Sequence, residues 1–512
     1  MSSIAVRRPR LAPAPAGLPG QAATAAAVAV VAAALTWFID DQGVVRGIAG
    51  ALVFGVTVWL ATTRHTQLAL ALFMVYLGIV DGYVKLSTGV AAVSLLRDLL
   101  LFAIVVGLLV RAQVQGKRLS APPLTAWVAG FAALVLIQLF NPQGGTLLHS
   151  LAGVRQHLEF VPLFFLTFTF VRTTKALRAF VILLVLIAAA NGVASWVQFN
   201  LTPAQFAAWG PGYADRILAR GDFQYSARIF ADTQGTIHTR PFGLASESGG
   251  GGLVGALALA GILAIAALRR RRRYLLFAVA MAMAAVTGIL TSQARSAVVC
   301  AVVVVLAYVL FSAASRNRVR ALLPVAVAGA VALLVVPSII GSAGDSGRFR
   351  YAGLSPAKIV QTTNKARAGN AGRIMDMMGR YPVGAGLATA GPAALTVSGG
   401  TELIYEVDAE SQFAFSTVET GIPGMALLVG FTVLLLVLAA RRLRHEPDRE
   451  ARALLAALIA PIAGMLALYY PAPLSASVPG GPYLWAIGGI VSYWLVARRA
   501  EGRHEAAGAP GS

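Results

Sequence analysis

The residues of this sequence best suited to chemistry are arginines and carboxylates at the edges of long apolar runs. A charge at the centre of a lipid bilayer costs about 2.5–3.5 kcal/mol on insertion scales, so charges placed there serve pairing or function. Five arginines stand at such edges: Arg155 in GVRQHLEF, Arg240 opening RPFGLASESGGGG, Arg295 in TSQARSA, and Arg373 and Arg380 in AGRIMDMMGRYPVGAG. Any one of them could simply snorkel or pair with a neighbouring acid. Several converging would suit an anion with more than one phosphate held at a membrane, because guanidinium grips phosphate oxygens bidentately. Arg373 and Arg380 lie seven residues apart, so on a helix they share a face with Asp376 and Met377. Tyr381-Pro382 ends that helix, and Gly384 and Gly386 then form a turn expected to expose backbone N–H groups beside the arginines.

The carboxylates fall in similar places. Glu159 follows Arg155 by four residues, a pairing distance on a helix. Glu247 lies in a Ser-Glu-Ser before a glycine run, and Glu402, Glu406, Asp408, Glu410 and Glu419 cluster ahead of and within a late apolar run. A partly desolvated carboxylate at a membrane lip can act as a general base toward a sugar hydroxyl. His149, His157 and His238 are alternative bases, although no spacing ties them together. There is no Gly-Lys-Ser/Thr phosphate loop for ATP hydrolysis. The six histidines are scattered and no HExxH occurs, so neither a metal site nor a cofactor is expected.

These groups must be positioned by membrane helices. The chain has 512 residues, 57 % hydrophobic and only 12 % charged, with mean hydropathy +0.73. The fold class expected is all-α: a polytopic helical membrane protein of about fourteen spans. Candidate spans are 20–39, 43–62, 67–82, 91–110, 122–140, 158–171, 177–199, 249–268, 274–291, 296–313, 321–341, 412–440, 451–470 and 482–497. Residues 1–19 read as a disordered cytoplasmic tail, 20–497 as a single membrane domain and 498–512 as a second cytoplasmic tail. With RRPR placed inside, every strongly basic loop falls on the cytoplasmic side, so the net charge of +21 marks orientation and not nucleic acid. Two long loops, about 201–248 and 342–411, then lie outside the membrane, where function is expected. The lone Cys300 excludes a disulfide within the chain.

Four stretches together resemble the O-antigen ligase and O-antigen polymerase group of membrane glycosyltransferases, across about 150–440. They are GVRQHLEFVPLFFL, RPFGLASESGGGGLVGALAL, LTSQARSAVVCAVVVVLAYVL, and AGRIMDMMGRYPVGAG followed by ESQFAFSTVETGIPGMALL. Arg373, ten intervening residues and Gly384 match a spacing of the polymerases. Two departures matter. The ligases carry a histidine eleven residues before the glycine that aligns with Gly421, where this chain has Glu410, and the usual Asn-Pro-Asn is replaced near Glu247-Ser248. Both tilt the resemblance toward a polymerase-like or divergent polysaccharide enzyme.

The resemblance implies an inverting glycosyltransferase, independent of metal and nucleotide, at the outer face of the bacterial cytoplasmic membrane. It would act on a polyprenyl-pyrophosphate-linked glycan donor and a glycan or lipid-glycan acceptor, with other polysaccharide-assembly proteins as candidate partners. Arg240, Arg295 and Arg373 would hold the pyrophosphate, and Glu410, or else Asp408, would activate the acceptor hydroxyl. Arg155, Arg380, Glu247, Gly384 and Gly386 would support them. A lipid-linked oligosaccharide flippase or polysaccharide transporter is the alternative. A non-catalytic scaffold in an export complex is a third reading.

Overall fold

Runs rich in Ala, Leu and Val satisfy their backbone polar groups internally as helices, the form an apolar solvent permits. The structure, a computed structural model, describes residues 43–90, 93–116, 120–218, 229–231, 235–268, 271–312, 372, 374–390 and 411–498, with backbone only over 43–49. Of the described residues 77 % are helical, which places the chain in the all-α class. In chain order the helices are α1 Gly43–Thr62, α2 Thr66–Thr88, α3 Ser94–Val114, α4 Thr125–Gln138 and α5 Leu147–Leu158. Then come α6 Pro162–Phe170, α7 Thr174–Phe199, α8 Pro203–Ala207, α9 Pro211–Leu218, α10 Gly250–Leu268 and α11 Arg272–Thr291. Last are α12 Arg295–Phe311, α13 Gln412–Arg442, α14 Arg449–Leu468 and α15 Gly480–Val491.

Helices occupy twelve of the expected span positions. The spans at 20–39 and 321–341, the tail 1–19, nearly all of the tail 498–512 and most of the loop 342–411 fall outside the described residues. By length and composition six described helices can cross a bilayer: α2, α7, α10, α11, α13 with its short extension to His445, and α14. Several others are apolar but shorter, so fourteen crossings remain an expectation from sequence.

The described chain divides into two compact units, one running to Ala69 and taking in Leu99–Arg118, the other holding Leu70–Asp98 and everything from Leu119 onward. In the first, α1 and the later part of α3 meet where Gly107 faces the Ala61 backbone, and Arg111 Nη1 donates to Ala61 O at 2.7 Å. In the second, α10 is apolar on every face and almost wholly buried, as such a helix must be. It packs on α7, α11, α12 and α14. Between the long loop's helices α8 and α9 and the start of α10, a short hairpin pairs β1 Ile229–Ala231 with β2 Ile237–Thr239, Phe230 opposite His238. Phe206, Tyr213, Ile217, Ile229 and Phe242 form a core with Leu86 there.

Close helix approach in apolar surroundings relies on small residues. A Cβ on Gly288 of α11 would lie 2.7 Å from Gly192 Cα of α7, and one on Gly192 would run into the Ala284 carbonyl. Neither obstacle is a flexible side chain, so the backbones would have to separate. Gly192→Leu or Gly288→Leu should therefore destabilise the protein by about 1–3 kcal/mol through overpacking. Gly55→Ala, with nothing within 4 Å of the added carbon, should leave stability unchanged or slightly higher. Thermal unfolding of the purified variants in detergent separates the two outcomes.

Candidate functional site

Two amide side chains of α7 shape the first part of the site. Asn191 and Gln198 are fully buried; Gln198 bonds the loop that follows β2, and Asn191 links that loop to α2 and α7, its Nδ2 donating to Gly78 O and Ile187 O. Gln198 Oε1 accepts from the amides of Phe242 (2.9 Å) and Gly243 (2.8 Å), while its Nε2 donates to Gly243 O at 2.7 Å. Asn191 Oδ1 accepts from Leu244 N at 3.0 Å. The loop in turn ties down the start of α10, since Gly249 N donates to Pro241 O and Gly251 N to Phe242 O. This bracing fixes Arg240, the residue just ahead of the loop.

Arg240 and Arg295 approach the same corner. Gly249 has φ +82°, and a Cβ there would lie 3.3 Å from Arg240 Nη2 and 2.9 Å from Ala294 Cβ. Ala294 is the N-cap of α12 and offers no side-chain acceptor to that helix's first amides. Arg295 opens the helix after the tight turn Ser292-Gln293-Ala294, and its Nε is buried with no hydrogen-bond partner among the described residues. The Arg240 guanidinium near a helix start that has no side-chain cap and opens with Arg295, with the macrodipole adding positive character, makes a corner suited to an oxyanion. Glu247 lies on the approach, half-exposed and ion-paired with Arg216 of α9.

Arg155 is placed differently. Its Nη2 donates to Ser94 O at 2.7 Å, its Nε pairs with Asp98, and Glu159 lies within 3.9 Å of it. Arg97 Nη2 donates to Glu159 Oε2 at 2.9 Å, and Arg97 Nη1 stands 3.5 Å from Asp81. Arg97, Asp81 and Asp98 thus join Arg155 and Glu159 in a network linking α2, α3 and α5. Desolvated charges persist when each has a partner, and here they do. The signal in the sequence is Asp81 in VDGY and the Arg97-Asp98 pair inside SLLRDLLLF, charges within apolar runs.

The stretch around Gly384 differs from expectation. Residues 374–380 are helical, and Arg380 Nε bonds Asp376 Oδ1 at 2.9 Å on an exposed face. Gly384 and Gly386, both at positive φ, are buried against backbone instead of presenting amides to solvent. A Cβ on Gly384 would lie 2.9 Å from Gly421 N, and one on Gly386 2.7 Å from Gly144 Cα. Gly384 N already donates to Tyr381 O and Ala385 N to Val418 O. The exposed-amide anion site expected at this turn is therefore absent, because close backbone approach and not ligand access is what the glycines permit.

The segment 382–390 instead threads into a break in α13. Gly421 there has φ +72° and ψ 179°, with Pro423 two residues on, and Ile422 N donates to Pro382 O at 2.9 Å. Gln138 Nε2 donates to Val383 O and Asn141 Nδ2 to Gly384 O. Beneath the segment His157 Nε2 and Glu419 Oε2 are 2.8 Å apart, with side chains 1 % and 0 % exposed. Glu419 Oε1 accepts from Ala390 N at 3.2 Å, and the Ala388 amide also bonds this carboxylate. Of the three histidines considered, His149 is half-buried beside Thr146, and His238 lies against Phe230 in the hairpin. Arg373, Asp408 and Glu410 lie outside the described residues.

Residues 280–429 match the family model described as O-Antigen ligase. No curated protein and no solved structure matches the chain. The matched stretch takes in Arg295 and the start of α12, which has no side-chain cap, the segment 382–390 with its buried residues 384–390, and Glu419 with the break at Gly421. It leaves out Arg240, Arg155 and His157, which the fold brings to the same unit. A helical multi-pass membrane protein, the chain is O-antigen ligase-like by the segment from residue 280 to residue 429.

Proposed function

We propose that the protein transfers or polymerises oligosaccharide from a polyprenyl-pyrophosphate-linked donor at the outer face of the bacterial cytoplasmic membrane. A ligase- or polymerase-type role in polysaccharide assembly follows from the family match. The observation that carries the finer reading is the corner at Arg295, where a buried Nε lacks a partner among the described residues, beside Arg240 and a helix start that has no side-chain cap. A buried guanidinium N–H left unsatisfied is unfavourable, and a phosphate oxygen would satisfy it.

In this reading Arg240, Arg295 and Arg373 hold the pyrophosphate and stabilise the negative charge that grows on it as it leaves. The carboxylate of Glu410, or else Asp408, takes the proton of the acceptor hydroxyl. The acceptor oxygen forms the new bond to the donor's anomeric carbon, the bond from that carbon to the phosphate oxygen breaks, and the polyprenyl pyrophosphate departs. The configuration at that carbon inverts, and neither a nucleotide nor a metal enters the step. Arg155 and Arg380, each engaged by a carboxylate, act as supports.

Arg295→Ala and Arg240→Ala should each lower glycan formation about 10²–10³-fold, the scale of losing one transition-state donor. Arg295→Lys should not restore it, because an ammonium cannot reproduce the planar fork. The assay is conversion of purified lipid-linked donor by purified protein in detergent, which also separates transfer from flipping because it has no compartments. Glycan of normal amount and length from both alanine variants would sink the assignment. For the base, Glu410→Gln should abolish turnover while leaving polyprenyl pyrophosphate binding intact; unimpaired turnover would remove Glu410 from the role. Turnover by wild type in EDTA should equal that without it.

A further inference from the structure

The Glu419–His157 pair is a buried titratable pair that the proposed transfer step does not use, and its geometry is that of a clamp. The two carboxylate oxygens serve different elements, Oε2 meeting His157 on α5 and Oε1 receiving the backbone of Ala390. His157 is itself fixed, its ring stacked on Phe415 at 5.1 Å and edge-on to Phe131 at 6.1 Å. One helical turn earlier on the same face of α5, Gly153 lets the segment 382–390 pass. A Cβ there would lie 2.5 Å from Leu387 Cβ and 2.7 Å from Ala388 N. The segment is thereby held between α5 and α13, with Ala385, Leu387, Ala388 and Ala390 wholly buried.

The clamp connects to Arg380 through packing. Ala385, Ala390, Phe415 and Val418 form a small core against which Met377 and Tyr381 pack, and these two residues flank Arg380 at the end of helix 374–380. The path from Glu419 to Arg380 is thus carboxylate to backbone amides, amides to the 385–390 core, and core to the helix.

We propose that Glu419 and His157 are positioning residues for glycosyl transfer, holding segment 382–390 and the Arg380 helix in one register against α13. This rests on the transfer reading above. Neither side chain touches substrate; in the transfer reading Arg240 and Arg295 hold the donor elsewhere, and of the three pyrophosphate arginines only Arg373 adjoins in sequence the helix that the clamp positions. Removing the clamp therefore acts chiefly on turnover, with a smaller loss of donor binding through Arg373.

The test uses the full-length protein in detergent, with turnover of lipid-linked donor and binding of polyprenyl pyrophosphate measured on each variant. Glu419→Ala and His157→Ala should lower kcat about 10²-fold, the scale of a misplaced group, with polyprenyl pyrophosphate affinity falling by less than about tenfold because Arg240 and Arg295 are untouched. Glu419→Gln retains an oxygen for the two amides and an N–H for a neutral His157, and should recover turnover to within about tenfold of wild type. Wild-type kcat in Glu419→Ala overturns the clamp. Glu419→Gln as inactive as Glu419→Ala, with binding intact, also overturns it, since the charge itself would then take part. Loss of binding and of thermal stability together in the alanine variants reduces the pair to scaffold and overturns it as well. Failure of the transfer reading looks different: wild type does not convert donor, or Arg295→Ala converts it normally.

Discussion

A carboxylate shut away from water must find all its hydrogen-bond partners in the protein, and Glu419 finds them on elements far apart in the chain. Its partners are a histidine 262 residues earlier and backbone amides 29 and more residues earlier. Satisfying it therefore brings α5, α13 and the segment 382–390 to one place. The break in α13 belongs to the same arrangement. A residue at φ +72° within a helix releases its neighbours' backbone groups, and Pro382 O accepts from Ile422 N while Val418 O accepts from Ala385 N. Irregular backbone inside an apolar bundle is tolerated where protein re-satisfies its polar groups, and here two irregular stretches satisfy each other.

Small residues make that exchange feasible. Gly384 against Gly421, Gly386 against Gly144 and Gly153 against Leu387 are approaches that a Cβ would prevent. The same device recurs away from the site, where Gly489 of α15 sits on the Phe164 carbonyl and Gly464 of α14 lies against Cys300 and Val304 of α12. Helices that approach this closely gain contact without large side chains, which suits a core whose central helix, α10, is built of Gly, Ala, Leu and Ile with one Val. A rigid, closely packed core of this kind keeps the start of α12 and the loop before α10 fixed relative to each other.

Local features of the sequence are legible, and long-range pairings are not. Hydropathy locates the twelve described helical positions, and the polar interruption TSQARSA between two apolar runs indicates the tight turn that sets Arg295 at a helix start. The glycines of PVGAG read as exposed because a glycine reports that no Cβ is tolerated, not whether ligand or backbone is the neighbour; Gly144 and Gly421 supply the answer only in three dimensions. Glu419 stands out as one acid among several and His157 as one of three candidate bases. Nothing in helical periodicity connects residues so distant, so their pairing is invisible in the sequence. Arg97 and Asp98 have a readable signal, charges inside an apolar run, but their partners Asp81, Glu159 and Arg155 lie on or beside other helices.

Three of the arginines at the apolar edges also separate by what surrounds them. Arg155 has two carboxylates and a carbonyl within reach, so its charge is already answered. Arg380 has an exposed partner four residues away, an interaction worth about 0.3–0.5 kcal/mol at a helix surface and easily exchanged. At Arg295, by contrast, a buried N–H without a partner costs about 1–3 kcal/mol, and no described acceptor offsets it. Such a group persists either through a packing accident or because something outside the chain completes it. The same corner holds the start of α12, which has no side-chain cap, so the helix macrodipole adds positive character beside that guanidinium. An anion bound there gains most where its charge is greatest, which in the proposed transfer is the pyrophosphate as it becomes the leaving group.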